Sequence, residues 1–440
     1  MFNYLYVCNI MTDYNSQTSY IKSYDVTTFA SPSNTSPYED IGKIMSEIQD
    51  DIILQQQTNQ DDKGLRPGAT IFIPAGRYRL QTTFVITINY LVIQGAGHGW
   101  MSQASRDAPD TDSSGWLETA PGASFIELDT SSTLTAIKIE RDDFATTGRI
   151  SGVELRDFCI GLVVATNPYN TSGTKGIDIA SDSDSLRIEG MGFSLLEEAM
   201  VVRNADSISI TNNFIGECAN CITMTSSSIV AKITNNFFGN SPGGYSISIE
   251  NGDRHQITGN TFFWNPQIVL LNTHHTNISA NKFQGSWPGT IVMLSPCDEN
   301  LVSSNMFIRV DTETASADVG GTIYDDLMGI VHISGNNNSI TSNMFSITFS
   351  DVSNIRPAGA DPVAILVTDD SDNTLLSSNH LAYSDNISVK IVLDSSSRNS
   401  RVFQTALYEE FLPSAGATYI FLGSDGKDMN GNVIIPAQTA

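Results

Sequence analysis

The chain has 440 residues and a formal charge of −25, from 23 Lys+Arg against 48 Asp+Glu. Charged residues are 16% and hydrophobic ones 40%, a composition that builds a core rather than a disordered chain. The acid excess excludes a general nucleic-acid or anionic-membrane partner, since both need a basic face, and a neutral sugar polymer fits without a counter-charge.

Met1 to Met11 is mildly apolar but short and lacks a basic start, so it does not read as a signal peptide. No apolar run reaches the roughly 18 residues a membrane span needs. Ser36-Pro37-Tyr38-Glu39 has the form of a capping box with Pro at the first helical position. Ile41, Ile44, Ile48 and Ile52 then line one face, which predicts a capping helix near 37–56. Ile71 to Leu80 and Tyr90 to Gly97 read as early strand-and-turn coils, and 101–122 as a long Ser/Asp/Gly-rich loop.

From Ile188 onward a unit of the form aliphatic–Ser/Thr–x–Asn–x–apolar recurs. It appears around Asn213, Asn236, Asn260, Asn281, Asn305, Asn343 and Asn379, with a degenerate member at Ile188 to Phe193. The intervals are 22, 23, 24, 21, 24, 38 and 36 residues, the long ones carrying insertions near 309–326 and 348–362. Short alternating stretches such as Ser246 to Ile249 exclude a helical solenoid. The expected fold is all-β, a right-handed parallel β-helix with coils of about 22–24 residues and an N-terminal capping helix. Asn at a fixed turn would form an amide ladder, and the apolar residue two positions later would stack inward. The domain reading is 1–60 as extension and capping helix, 61–405 as β-helix, and 406–440 as tail.

Five cysteines do not imply a disulfide scaffold, and Cys218-Ala-Asn-Cys221 reads as buried thiols because no second ligand pair follows. Gly97-His98-Gly99 and Asp325-Asp326 stand in the wrong order for a polygalacturonase. The acids at Asp182 and Asp184 lack the basic partners of a pectate lyase. The stretch from Gly239 to His255 sets a Gly-rich turn, a strand, Glu250, Asp253, Arg254 and His255 close together. Glu250 and Asp253 are candidates for acid/base work on a glycosidic bond. Outward polar groups in neighbouring coils are Glu197, Glu198, Arg203, Glu217, Trp264, His274, His275 and Trp287.

In collinear order the chain carries Tyr24-Asp-Val-Thr-Thr28, Arg66-Pro-Gly-Ala69, Gly95-Ala-Gly-His-Gly99 and Arg156-Asp-Phe-Cys159. Ala180 to Ser185, Gly190-Met-Gly-Phe193, Glu217-Cys-Ala-Asn-Cys221, Glu299-Asn-Leu301, Asp325 to Ile333 and Pro357-Ala-Gly-Ala360 follow. In these segments the sequence resembles the inulin fructotransferase family, trimeric β-helix enzymes acting on inulin and on difructose anhydride. The resemblance implies that a hydroxyl of the neighbouring fructose, rather than water, attacks the anomeric carbon, giving a cyclic anhydride. It implies a homotrimer with pockets between subunits, no metal or organic cofactor, and inulin or difructose anhydride as ligand.

The expected function is a fructan-active, lyase-type fructotransferase. The alternatives are a difructose anhydride hydrolase and a catalytically silent fructan-binding β-helix. Expected catalytic residues are Glu250, Asp253 and Glu217; expected substrate contacts are Arg203, Arg254, His255, Trp264, Trp287 and Asp325. The family places an Asp in the turn before the strand, where this chain has Ser241-Pro242-Gly243-Gly244. A polymeric substrate implies an extracellular location.

Overall fold

A computed structural model of the chain describes residues 22–58, 68–99, 123–141, 148–162, 173–239, 244–263, 267–286, 288–310, 329–348, 363–368, 371–383, 390–393, 397–403, 406–407 and 433–435. Each coil visits three parallel sheets in turn. Chain segment Ala69–Ile73 lies in the first sheet, Gly76–Leu80 in the second, Phe84–Ile86 in the third, and Leu91–Gly95 returns to the first. The three sheets hold 14, 12 and 11 strands among the described residues, a parallel β-helix. Three two-residue strands add a short fourth ladder at the corner between the third sheet and the first.

The first strand, Lys22–Asp25, pairs with Ala69–Ile73. It therefore belongs to the first sheet, inside the stretch read from sequence as an extension. Beyond residue 405, Ala406–Leu407 extends the second sheet and Val433–Ile435 the first.

The repeated Asn builds the expected ladder. Oδ1 of Asn260 accepts from the backbone N and from Nδ2 of Asn236, at 2.9 and 3.1 Å. Nδ2 of Asn260 in turn donates to the Ile233 carbonyl at 2.9 Å. The same pattern runs from Asn213 to Asn379 and satisfies polar backbone that the turn would otherwise bury without partners. The residue before each Asn holds a left-handed conformation (Asn212 φ 57°, Asn235 56°, Gly259 69°, Ala280 55°, Ser304 57°). Glycine, Asn and small polar residues recur there because this region penalises bulkier side chains. Across the two long intervals the ladder is unbroken: Asn305 N reaches Asn343 Oδ1 at 3.0 Å, 38 residues on.

Inside, Phe238, Phe262, Phe283, Phe307 and Phe345 are fully buried and stack with centroids 4.8, 4.6, 4.9 and 4.6 Å apart. The spacing follows that of neighbouring strands.

The helix spans Ile41–Thr58 and buries Ile41, Ile44, Ile48 and Ile52 over the first coil. It starts later than the sequence suggested. Pro37–Glu39 form a turn, and Asp40 is the N-cap, Oδ1 accepting from Lys43 N at 3.4 Å. The same carboxylate accepts from Gln81 N, Thr82 N and Thr82 Oγ1, and so fastens the helix to the β-helix. Gly42 permits this approach, since a Cβ there would lie 1.8 Å from the Thr82 carbonyl oxygen.

Candidate active site

Glu217 follows the second-sheet strand Phe214–Gly216 and turns the chain toward the third-sheet strand Asn220–Thr225. It holds φ 55°, as Leu195 (61°) and Gly285 (81°) do at the same corner of other coils. A glutamate in this conformation carries backbone strain of about 1 kcal/mol or more, and such residues gather at functional sites. Its side chain is 6% exposed. Burial alone pushes its carboxyl up to about 7, so at neutral pH it holds a proton much of the time.

The outer face of the third sheet continues from this corner. Glu198 pairs with Asn220 across adjacent strands. Its two oxygens accept from Asn220 Nδ2 at 2.8 Å and Thr223 Oγ1 at 2.7 Å. Burial raises its pKa despite these donors. One coil earlier, Asp178 ion-pairs with Arg203 and, at 3.3 Å, with Lys175. Arg203 thus has its guanidinium held on a carboxylate. Carboxylates, an amide, a hydroxyl and cations held in this way form a preorganised hydrogen-bonding surface of the kind that fixes a polar ligand's orientation.

The other expected residues lie elsewhere. Glu250 ends the third-sheet strand Ile247–Glu250 and is exposed. Asp253 lies at the next corner, where Oδ1 meets His275 Nδ1 at 2.7 Å and Oδ2 meets Arg254 at 3.3 Å. His275 Nε2 meets Glu299 at 3.0 Å, and Asp253 heads the carboxylate contacts that raise the His275 pKa. Glu217 enters the third-sheet strand and Glu250 leaves one, so within one chain they face opposite edges of that sheet. The strand Asn220–Thr225 that separates the edges spans on the order of 16 Å. The structure therefore does not bring Glu217 together with Glu250 and Asp253 in one protomer.

His255 is a core residue. It precedes a first-sheet strand, in the column that holds Ala231, Thr276, Asn300 and Asn338 in other coils. Its Nδ1 accepts from Ala231 N at 3.2 Å, as Asn300 Oδ1 accepts from Thr276 N at 2.8 Å. Burial lowers its pKa to about 4, so it is neutral. At 1% exposure it offers no atom to a ligand, which assigns it to the scaffold rather than to substrate. Arg254 is exposed and left-handed (φ 58°). Trp264, Trp287, Asp325 and the turn Ser241 to Gly243 lie outside the described residues.

Asp178, which holds Arg203, escaped the sequence reading, and so did a second acid. Asp206 lies in the corner ladder two coils before Asp253, linked to it through Ile229. Arg149 contacts it at 3.2 Å. Its signal was the shared form of Asn204-Ala-Asp206 and Asn251-Gly-Asp253.

Comparison with known proteins fixes the lineage. A family model described as the beta helix repeat of inulin fructotransferase matches residues 304–423. The inulin fructotransferase [DFA-I-forming] of Arthrobacter globiformis is 43% identical over 386 residues, covering 87% of this chain and 94% of that protein. The chain belongs to the inulin fructotransferase family. The crystal structure of DFA-IIIase from Arthrobacter chlorophenolicus A6 in complex with GF2 is 30% identical, with a TM-score of 0.79 over 95% of this chain and 99% of that one. The A-module of the mannuronan C-5 epimerase AlgE6 of Azotobacter vinelandii, 13% identical with a TM-score of 0.50 over 88% of this chain and all of that one, shares the fold alone. A model described as periplasmic copper-binding protein (NosD) matches 135–325. Among the described residues no three of His, Cys, Asp or Glu converge as metal ligands. Cys159, Cys218, Cys221 and Cys297 are all buried, and burial pushes the Cys218 thiol up to about 12.

Proposed function

We propose that this inulin fructotransferase homologue converts inulin to difructose anhydride, with DFA-I as the isomer. The 43% identity to a DFA-I-forming relative, across nearly the whole of both chains, carries this reading. Glu217 supplies the acid. A carboxyl with a pKa of about 7 protonates the departing glycosidic oxygen as the bond to the anomeric carbon breaks. A hydroxyl of the neighbouring fructose forms the new bond to that carbon and loses its proton to a carboxylate. Arg203, Glu198 and Thr223 orient sugar hydroxyls on the adjoining face.

The base comes from a second protomer in this reading. Glycosidase carboxylate pairs stand about 5–9.5 Å apart. Among the described residues of one chain, burial is the cause of the Glu217 shift, and no neighbouring charge contributes. Asp206, Glu250 and Asp253 line the opposite edge of the third sheet, available to a neighbouring copy. The placement of these acids on opposite edges supports reading the assembly as a homotrimer with intersubunit pockets, and a polymeric substrate supports action outside the cell.

The DFA-IIIase neighbours, two of them in complex with DFA-III, favour a second reading in which the same face opens difructose anhydride. Incubation with inulin and separately with each anhydride, with products resolved by anion-exchange chromatography, tests both. DFA-I from inulin establishes the transferase; inulobiose from an anhydride, with inulin untouched, establishes the second reading. Mixing inactive Glu217→Gln protein with inactive Asp206→Asn, Glu250→Gln or Asp253→Asn protein tests the shared pocket. Recovery of activity by one mixture identifies the base, and recovery by none refutes an intersubunit pair.

A further inference from the structure

The outer face of the second sheet carries an aromatic row that the chemistry above does not use. Phe214 and Phe237 are paired residues of adjacent strands, half-buried, with rings parallel (0°) and centroids 4.9 Å apart. Phe263 continues the stack at 6.3 Å, and His98, from the Gly97-His98-Gly99 turn, extends it at 6.2 Å beyond Phe214. Inward-facing Phe238 and Phe262 belong to the main core; of the outer row, Phe214 also packs against the buried pair Phe125 and Cys159.

Its position is informative. Phe214 is three residues from Glu217, and the only residues between them are Ile215, which points inward, and Gly216. The equivalent residue beside Phe237 is Gly239. A Cβ at Gly216 would sit 3.2 Å from the Phe214 ring, so the ring leans along the strand toward the Glu217 corner. Two glycines side by side leave the strip between the aromatic row and the acid without side chains. Burial lowers the His98 pKa, so its ring stands neutral at the end of the stack, a polar tip on an apolar row.

We propose that Phe214, Phe237 and His98 form a fructosyl-binding ledge that holds the units of a fructan chain beyond the bond cleaved at Glu217. The occupant is a neutral furanose chain. Its ring faces and methylene groups are apolar enough to lie on aromatic rings, and a neutral imidazole suits its hydroxyls. The acidic net charge of the protein does not oppose such a ligand. The proposal rests on fructan being the substrate, and adds the direction in which the chain runs: out of the Glu217 corner and across the second sheet, rather than along the third.

Chain-length dependence tests it. Wild type, Phe237→Ala, Phe237→Leu and Phe214→Leu are compared on long inulin and on the shortest inulo-oligosaccharide that is turned over. Circular dichroism melting and light scattering confirm that each variant is folded and assembled. The ledge predicts about a tenfold loss in kcat/KM on long inulin for Phe237→Ala, mostly through KM, with less than about twofold on the short substrate. Titration of inulin into Glu217→Gln protein gives the same loss as affinity, independent of turnover. Equal losses on both lengths, no loss on either, or a change of oligomeric state without a length effect overturns the ledge. If wild type processes and binds no fructan, the functional reading itself has failed.

Discussion

Oδ1 of Asn281 accepts two hydrogen bonds from Asn260, from its backbone N at 2.9 Å and from its Nδ2 at 3.0 Å. Nδ2 of Asn281 passes the chain on by donating to the Ile257 carbonyl at 2.9 Å and to Asn305 Oδ1 at 3.0 Å. Truncating this residue strands groups on both neighbouring coils. Asn281→Ala is expected to destabilise by about 2–4 kcal/mol, since several buried polar groups lose partners at once. Denaturant unfolding followed by circular dichroism checks this; a loss below about 0.5 kcal/mol would show that the ladder is decorative.

The inner Phe column offers a matching test for packing. Phe283 sits between Phe262 and Phe307 and is fully buried. Phe283→Ala is expected to cost about 3–5 kcal/mol, and Phe283→Leu distinctly less, because a solenoid interior cannot collapse around a missing ring. Thermal melting of the two variants side by side gives the ranking.

Glu217 links activity, stability and pH. Its folded pKa of about 7 lies above the ordinary 4.5, so the folded state holds the proton more tightly than the unfolded chain. Its contribution to stability is therefore complete below about pH 4.5 and declines as pH rises to about 7. The total decline is about 3 kcal/mol. Glu217→Gln is expected to flatten that decline and to lower kcat by about 100-fold or more. In wild type, kcat/KM should fall on the alkaline side with a midpoint near 7. An alkaline limb that persists unchanged in Glu217→Asp protein would remove this residue from the acid role.

His255 runs in the opposite sense. Burial depresses its pKa to about 4 from 6.5, so the unfolded chain binds the proton more readily. Stability from this residue is present above about pH 6.5 and is lost as pH falls toward 4. Asn fills the equivalent slot at Asn300, so His255→Asn should keep both the fold and the activity and should improve acid tolerance. Melting temperature as a function of pH, with kcat/KM at pH 7, decides. A loss of turnover in a fully stable His255→Asn protein would return it to the substrate site.

The scaffold was readable because it repeats. Asn213 to Asn379 recur at one place in every unit, and the inward position two residues on is Phe in five of the seven, so each instance supports the next. The site was less readable because it occurs once. Glu217, Glu250 and Asp253 are similar letters in similar surroundings, and only the coil geometry buries the first and exposes the second. His255 misled for the same reason in reverse: its column admits Ala231, Thr276 and Asn300 as well, so no recurring letter marked it as structural. The N-cap was displaced because Ser36 and Asp40 are both good caps, and the contacts of Asp40 with Thr82 come from a part of the chain 42 residues away.

The Asn305 Nδ2–Asn343 Oδ1 bond, between residues 38 apart, is 3.0 Å long, as is the Asn260 Nδ2–Asn281 Oδ1 bond between residues 21 apart. The extra residues lie between the second-sheet strand Met306–Val310 and the third-sheet strand Val331–Ile333, so distance along the chain and distance along the axis are uncoupled at that corner. A coil can gain or lose a dozen residues between its strands while its neighbours keep register to a tenth of an ångström. New loops can therefore be tried at such corners one at a time, leaving the Glu217 turn where it is. That freedom suits a lineage whose members share one framework and differ in which anhydride they make or open.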